Sequence, residues 1–251
     1  MPYRKTRPMN TKQKEIQIQS WAQFCQLVEE AEQCTDKFFL FRGVTDQNHR
    51  LIPKIGRPDA RKDPQNGASL AHSQEFEEGA LVMFKRTARA QVSYEPNSDL
   101  EWLSVAQHFG APTRLLDWSE SPFVAAYFAM EKAGTTGSPA IYVLEAPTFA
   151  NPDELREPFS LSEVRTYLPP HITPRIQVQR SVFTVHPCPS SEYVPPSLAI
   201  WVFRQGKPCF DIKRTVDRCG LNRASLFPDL QGLAEYIGWS YKWGRVPDEL
   251  P

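Results

Sequence analysis

The sequence predicts an α+β fold, a mixed sheet core with flanking helices, on three observations. Apolar runs of strand length stand at residues 37–42, 140–144, 182–186 and 198–203. Segments with helical spacing and recognisable caps lie between them. The two kinds of element do not alternate strictly, as a parallel strand–helix–strand sheet would require.

Each element has a local reason. Ser20 opens a helix, Gln23 completes its capping box, and Trp21, Phe24, Val28 and Ala31 give its apolar face. Lys37-Phe38-Phe39-Leu40-Phe41-Arg42 reads as a buried strand ended by Gly43. A polar loop with Pro53, Pro58 and Pro64 leads to a long helix over 69–93, where Phe76, Ala80, Phe84 and Ala88 make a core stripe. Ser98 and Glu101 cap a helix reaching Phe109, stopped by Gly110 with Pro112 beyond. Ser121-Pro122 opens another, with Phe123, Ala126, Tyr127 and Met130 on its face and Gly134 at its end. Residues 107–119 therefore read as a tight connection between two helices. The stretch 147–196 is rich in proline but also in Phe, Leu, Tyr and Ile, which predicts an irregular excursion packed on the core. Asp211 caps a short helix ending at Gly220, and the last helix covers 228–237.

Composition narrows the function classes. Lys and Arg number 29 and so do Asp and Glu, so the net field gives no argument for nucleic acid or acidic lipid. No apolar run approaches the ~20 residues of a membrane helix, and no apolar signal region opens the chain. Five scattered cysteines without a Cys-x-x-Cys pair read as free thiols in a reducing compartment, and the cytoplasm is the expected location. The histidines His49, His72, His108, His171 and His186 lack metal-ligand spacing, so no metal site is expected. The organisation expected is a basic flexible arm over 1–15, a folded domain over 16–243 and a tail over 244–251.

Three groups of residues could carry chemistry. Arg42 ends an apolar strand beside Gly43, which admits a ligand or another backbone. Its guanidinium suits phosphate or carboxylate, or an internal ion pair with Asp117. The run 107–119 packs Gln107, His108, Thr113, Arg114, Asp117, Trp118 and Ser119 between apolar elements. It forms either a self-satisfied polar hub or the floor of a site near the amides that follow Ser121. Arg175, Gln177 and Gln179 alternate ahead of the Phe183 strand, which places them on one strand face.

The combination resembles the FRG-domain family. Phe41-Arg42-Gly43 carries the likeness first. Gln107-His108-Phe109-Gly110, Pro112 through Trp118, Pro122 and Ala126-Tyr127-Phe128-Ala129 carry its centre. Leu51, Pro53, Arg57 and Glu75 match positions between them, Arg175, Gln179, Phe183 and Thr184 match a third motif, and Phe227-Pro228-Asp229-Leu230 matches a C-terminal one. Ser181 stands where many members have glycine. The likeness covers about residues 16–239. FRG domains occur in bacteria and phage, some in settings of phage defence or toxin-like action.

A more distant resemblance is to ADP-ribosyltransferases, in the order of Arg42-Gly43, then Thr113 to Ser119, then Ala126-Tyr127-Phe128-Ala129. It implies an ADP-ribosyltransferase-like fold with NAD as substrate for ADP-ribosyl transfer or hydrolysis. A protein or nucleic-acid acceptor goes with the first. Arg42, Asp117 and Gln179 take the catalytic places, and Arg42, Gly43, Gln107, His108, Thr113, Arg114, Ser119 and Arg175 hold the nucleotide. Gln179 stands where those enzymes carry an acid, so it can hydrogen-bond but supplies no charge. The alternative implied is a non-catalytic nucleotide- or nucleic-acid-binding module on the same fold.

Overall fold

A computed structural model describes residues 14–92, 94–131, 137–170 and 173–242. The basic residues of the arm before Lys14, Ser93, Gly134, His171 and the 244–251 tail lie outside the described residues. The chain runs β1 (Lys14–Ile18), α1 (Trp21–Glu32), β2 (Phe39–Val44), a 3-10 turn (Lys54–Gly56), α2 (Gln74–Ala88), α3 (Asp99–His108), β3 (Leu115–Ser119), α4 (Pro122–Met130) and β4 (Ala140–Glu145). It continues through α5 (Pro152–Arg156), β5 (Arg165–Tyr167), α6 (Pro174–Val178), β6 (Ser181–Val185), β7 (Leu198–Phe203), α7 (Lys207–Arg218), α8 (Arg223–Leu226) and α9 (Leu230–Lys242).

The α+β reading holds: these strands form one mixed seven-stranded sheet in the order β1-β7-β4-β2-β3-β6-β5. Among the named strands β1 and β7 run parallel and the other neighbours antiparallel. Most neighbours share three to six register pairs, but β2 and β3 share one, Phe41 with Ser119. Beyond that pair the two central strands part.

Side-chain alternation sorts the packing. On one face, Phe41, Ile141, Val143, Trp201 and Phe203 meet α1, α4 and α7 through Phe24, Ala125, Ala129, Ile212 and Val216. Fully buried Phe24 sits within 6.3 Å of four aromatic rings, a burial that stabilises by about 1.5–3 kcal/mol. Leu115, Phe183 and Val185 extend this face under α2 and α3, through Leu81, Leu100, Trp102 and Leu103. The opposite face, with Leu40, Leu116, Trp118, Tyr142 and Ile200, is closed by irregular segments carrying Leu51 and Tyr193. Their backbones are tied together from Tyr193 N to Leu51 O at 2.9 Å, and Tyr142 Oη donates to the carbonyls of Gln47 and His49. The loop after β2 is thus a cover for one side of the sheet.

The caps at Ser20, Ser98 and Ser121 form as expected: each hydroxyl accepts from the amide three residues on. Several other expectations are corrected. Lys14 and Glu15, placed in the arm, belong to β1, because pairing with β7 satisfies their backbone. The second half of the 107–119 run is strand β3, not a helix-to-helix loop. Arg175 and Gln177 lie in helix α6 with Gln179 as its C-cap, not on a strand; Thr173 caps it and Pro174 occupies its first turn. The buried line of α2 is Glu77 and Leu81 with half-buried Phe84 and Ala88, while Phe76 and Ala80 face solvent. Phe76 there is shielded by Arg61, whose Cζ lies 3.6 Å from the ring centre. Helix α7 starts at Lys207 behind Gly206, so Asp211 lies inside it.

Candidate functional site

The parting of β2 and β3 makes the site. Arg42 follows Phe41, the last paired residue, and its Nη1 donates to the Asp117 carbonyl at 2.5 Å, taking the place of a strand partner. The same nitrogen lies 3.4 Å from Asp117 Oδ2. The Asp117 side chain remains 54% exposed, on the sheet face shared with Leu115 and Ser119. From α3, Gln107 Nε2 donates to Asp117 Oδ2 at 3.0 Å, and Gln107 Oε1 accepts from Thr113 Oγ1 at 2.7 Å. Thr113 Oγ1 in turn accepts from Leu115 N. The chain Arg42–Asp117–Gln107–Thr113 therefore fixes an exposed carboxylate between two donors.

Charged groups converge on that carboxylate. His108, the last residue of α3, is pushed down to about 4 by burial and then by Arg175, against the pull of Asp117 and Asp229. The imidazole is accordingly neutral at pH 7. Arg175 lies with its Cζ 4.0 Å from the centre of the Phe227 ring, and its buried Nε has no hydrogen-bond partner. Burial and then Arg223 lower its pKa, with Asp229 and Asp117 opposing. Arg57 is lowered by desolvation and then by Arg42, with Asp59 and Asp117 opposing. His49 is lowered mainly by burial, and Arg42 and Arg57 add to the effect. Arg42 contacts Asp117 directly, and Arg57 and Arg175 feel its charge from farther away, in a partly desolvated setting.

The other expected site residues do different work. Arg114 is fully buried and meets Glu77 at two points, Nε to Oε1 at 3.1 Å and Nη2 to Oε2 at 2.9 Å. Its Nη1 donates to Pro158 O, and Phe159 lies over its Cζ. It joins α2 and Pro158 to the approach of β3 with no surface open to solvent, so it is not available to a ligand. Gly43 faces α4: a Cβ there would stand 1.9 Å from Ala125 O, so the close backbone is the helix and not a ligand. Ser119 is buried, donating to Gln179 O and accepting from Ser121 N. Gln179 turns its side-chain amide to Leu226 O at 2.9 Å, joining α6 to α8. Trp118 Nε1 donates to Thr184 Oγ1, which shares a hydrogen bond with His186 Nε2 in the core. The left-handed residue at the turn into β6 is Arg180, with φ 47°, and not Ser181.

Hydrogen bonds thus bring together Arg42, Gln107 and Asp117, and charge couples His108 and Arg175 to Asp117. Gly43, Thr113, Arg114, Ser119 and Gln179 make their contacts within the fold. Two contributors escaped the sequence reading. Arg57 was recognised only as a matched loop position, and Glu77 was missed although a carboxylate in line with Leu81, Phe84 and Ala88 marks a buried partner for a cation. The matched acid Glu75 is exposed, two positions away. Among the described residues no group of three or more His, Cys, Asp and Glu could hold a metal ion, and no helix is long and apolar enough to cross a membrane.

Residues 37–137 match the family model described as FRG domain. No curated protein and no solved structure matches the chain.

Proposed function

The chain contains an FRG domain, and from that premise we propose that the surface around its Arg42–Asp117 pair binds a phosphate-bearing nucleotide and that NAD is the substrate. The carrying observation is the exposed Asp117 carboxylate, held by Arg42 and Gln107 and coupled by charge to Arg57 and Arg175. Arginine forks suit the pyrophosphate oxygens. Arg175 has an unpartnered buried Nε to offer nearby, and neutral His108 adds a hydrogen-bonding ring without competing charge.

The chemistry follows from the acid's position. The bond between nicotinamide and ribose breaks, and its electron pair leaves with the pyridine nitrogen as neutral nicotinamide. Asp117 stabilises the positive charge that develops on the ribose and accepts from its 2′-hydroxyl. Water, or a protein or nucleic-acid acceptor, adds at the anomeric carbon and gives up a proton to solvent. Gln179, whose Nε2 donates to Leu226 O, supplies no charge to this step. An ADP-ribosyltransferase-like fold rests on the order of the three motifs alone.

Binding without turnover is the second reading, favoured because Asp117 already has two donors on one oxygen. One experiment separates them. With NAD labelled in the nicotinamide ring, we expect release of the ring, a rise in melting temperature with NAD or ADP-ribose, and loss of release but not of binding in Asp117→Asn. Removing a preorganised group of this kind lowers turnover about 10²–10³-fold. A shift without release selects the binding module; neither shift nor release overturns the nucleotide reading.

A further inference from the structure

The last turns of α2 and the start of α3 border an open cavity of about 320 Å³, lined by Val82, Lys85, Arg86, Arg89, Glu95 and Trp102. That is the small end of the range for ligand sites, about 300–1,000 Å³. None of these residues belongs to the surface around Asp117. Cations in a last helical turn suit its negative end, yet these three converge with an indole around open space. Their commitments differ. Lys85 Nζ donates to Asp99 Oδ1 at 2.7 Å. Arg89 Nε donates to Glu95 Oε1 at 2.8 Å, in a pair whose side chains are 72% and 55% exposed. Arg86 is exposed and meets no acid among the described residues. Trp102 is 6% exposed and meets Phe84 edge to face, with ring centres 6.2 Å apart. Its indole N–H finds no acceptor among the described residues, although a buried indole N–H usually has one.

We propose that this cavity binds a small organic phosphate monoester. The phosphate lies between Arg86 and Arg89, whose planar forks match its oxygens, and the organic body lies against Val82 and Trp102. Glu95 holds the ligand's place. A solvent-exposed ion pair is weak, so the phosphate exchanges with Glu95 on Arg89 at little cost and gains two guanidinium groups where the carboxylate had one. The charges agree with a monoester. Asp99 already balances Lys85, which leaves Arg86 and Arg89 to face an anion of about −1.5 to −2 at pH 7. A phosphodiester, singly charged, would leave one guanidinium unmatched. NAD, whose two phosphates carry one charge each, is therefore not this ligand.

Titration of the full chain with phenyl phosphate at pH 8, followed through the indole N–H resonance of Trp102, tests this. We expect the resonance to move and saturate. Arg86→Ala weakens binding about tenfold or more, the scale of a charge-assisted contact. Glu95→Gln tightens it, because an amide no longer competes for Arg89 with a charge. Both positions are exposed, so both variants keep the melting curve of the parent. A Trp102 resonance that stays still overturns the proposal, as does an affinity indifferent to Arg86→Ala or weakened by Glu95→Gln. Inorganic phosphate binding as tightly as phenyl phosphate also overturns it, since the apolar walls would then hold nothing.

Discussion

Arg114 and Glu77 form a two-point ion pair that solvent does not reach, across 37 residues of sequence. Burying both charges is costly, and the cost is met only while each has its partner and its remaining hydrogen bonds. Arg114→Met leaves Glu77 buried with His72 alone and should lower stability by roughly 3–5 kcal/mol. Adding Glu77→Met should recover most of that loss. Urea unfolding of the single and double variants measures both, and an equal loss in the two would show that the pair's charge complementarity is not what matters.

Gly43 is set by the packing of α4 on β2. Gly43→Ala forces the helix backbone away and should destabilise by about 1–3 kcal/mol or more, with the site displaced along with Arg42. The denaturation midpoint should fall. An unchanged midpoint would mean that α4 stands farther from β2 than 1.9 Å from a Cβ to Ala125 O implies.

Arg175 acts on His108 by charge. Arg175→Ala removes a cation that disfavours protonation, so the His108 pKa should rise from about 4. Stability should fall by about 0.5–2 kcal/mol, because the guanidinium packed on Phe227 is lost. Affinity for ADP-ribose should fall about tenfold or more, the usual scale for a charge-assisted contact. Imidazole proton resonances followed against pH, with calorimetric titration of the ligand, check both directions.

His108 and His186 make the fold sensitive to mild acid. Burial is the leading cause in both and holds them at about 4 and about 3, against an ordinary value of 6.5. Above 6.5 they are neutral whether the chain is folded or not. As pH falls below 6.5 the unfolded chain takes up protons that the folded one refuses, so stability declines from there down toward the folded values. The urea midpoint should therefore begin to drop before the carboxylates titrate. His186→Gln should flatten that part of the profile whatever it does to the midpoint at pH 8.

The legible part of this fold is the part with local punctuation. Ser98, Gly110 and Ser121-Pro122 announce where α3 ends and α4 begins, because caps and turns are short-range events. Strand β3 hid because its alternation sets Leu116 and Trp118 in the core and turns Asp117 to the site, so the polar face of a strand resembled a loop. Helix α6 was mistaken for a strand through the spacing of Arg175, Gln177 and Gln179, although Thr173-Pro174 repeats the signal that was read correctly at Ser121-Pro122. Within the site, Arg42 and Asp117 were legible as a pair. Which groups are free and which are committed was not, since that depends on Glu77 and Leu226, remote partners that no local pattern specifies.

The single backbone pairing between Phe41 and Ser119 has a mechanical meaning. It makes the sheet two panels on one pin, β1-β7-β4-β2 and β3-β6-β5. Arg42 belongs to the first panel; Asp117, Gln107, His108 and Arg175 belong to the second or to the helices joined to it. The buried layer of Leu40, Tyr142 and Ile200 on one panel against Leu116, Trp118 and Val182 on the other carries across that pin what the backbone ladder does not.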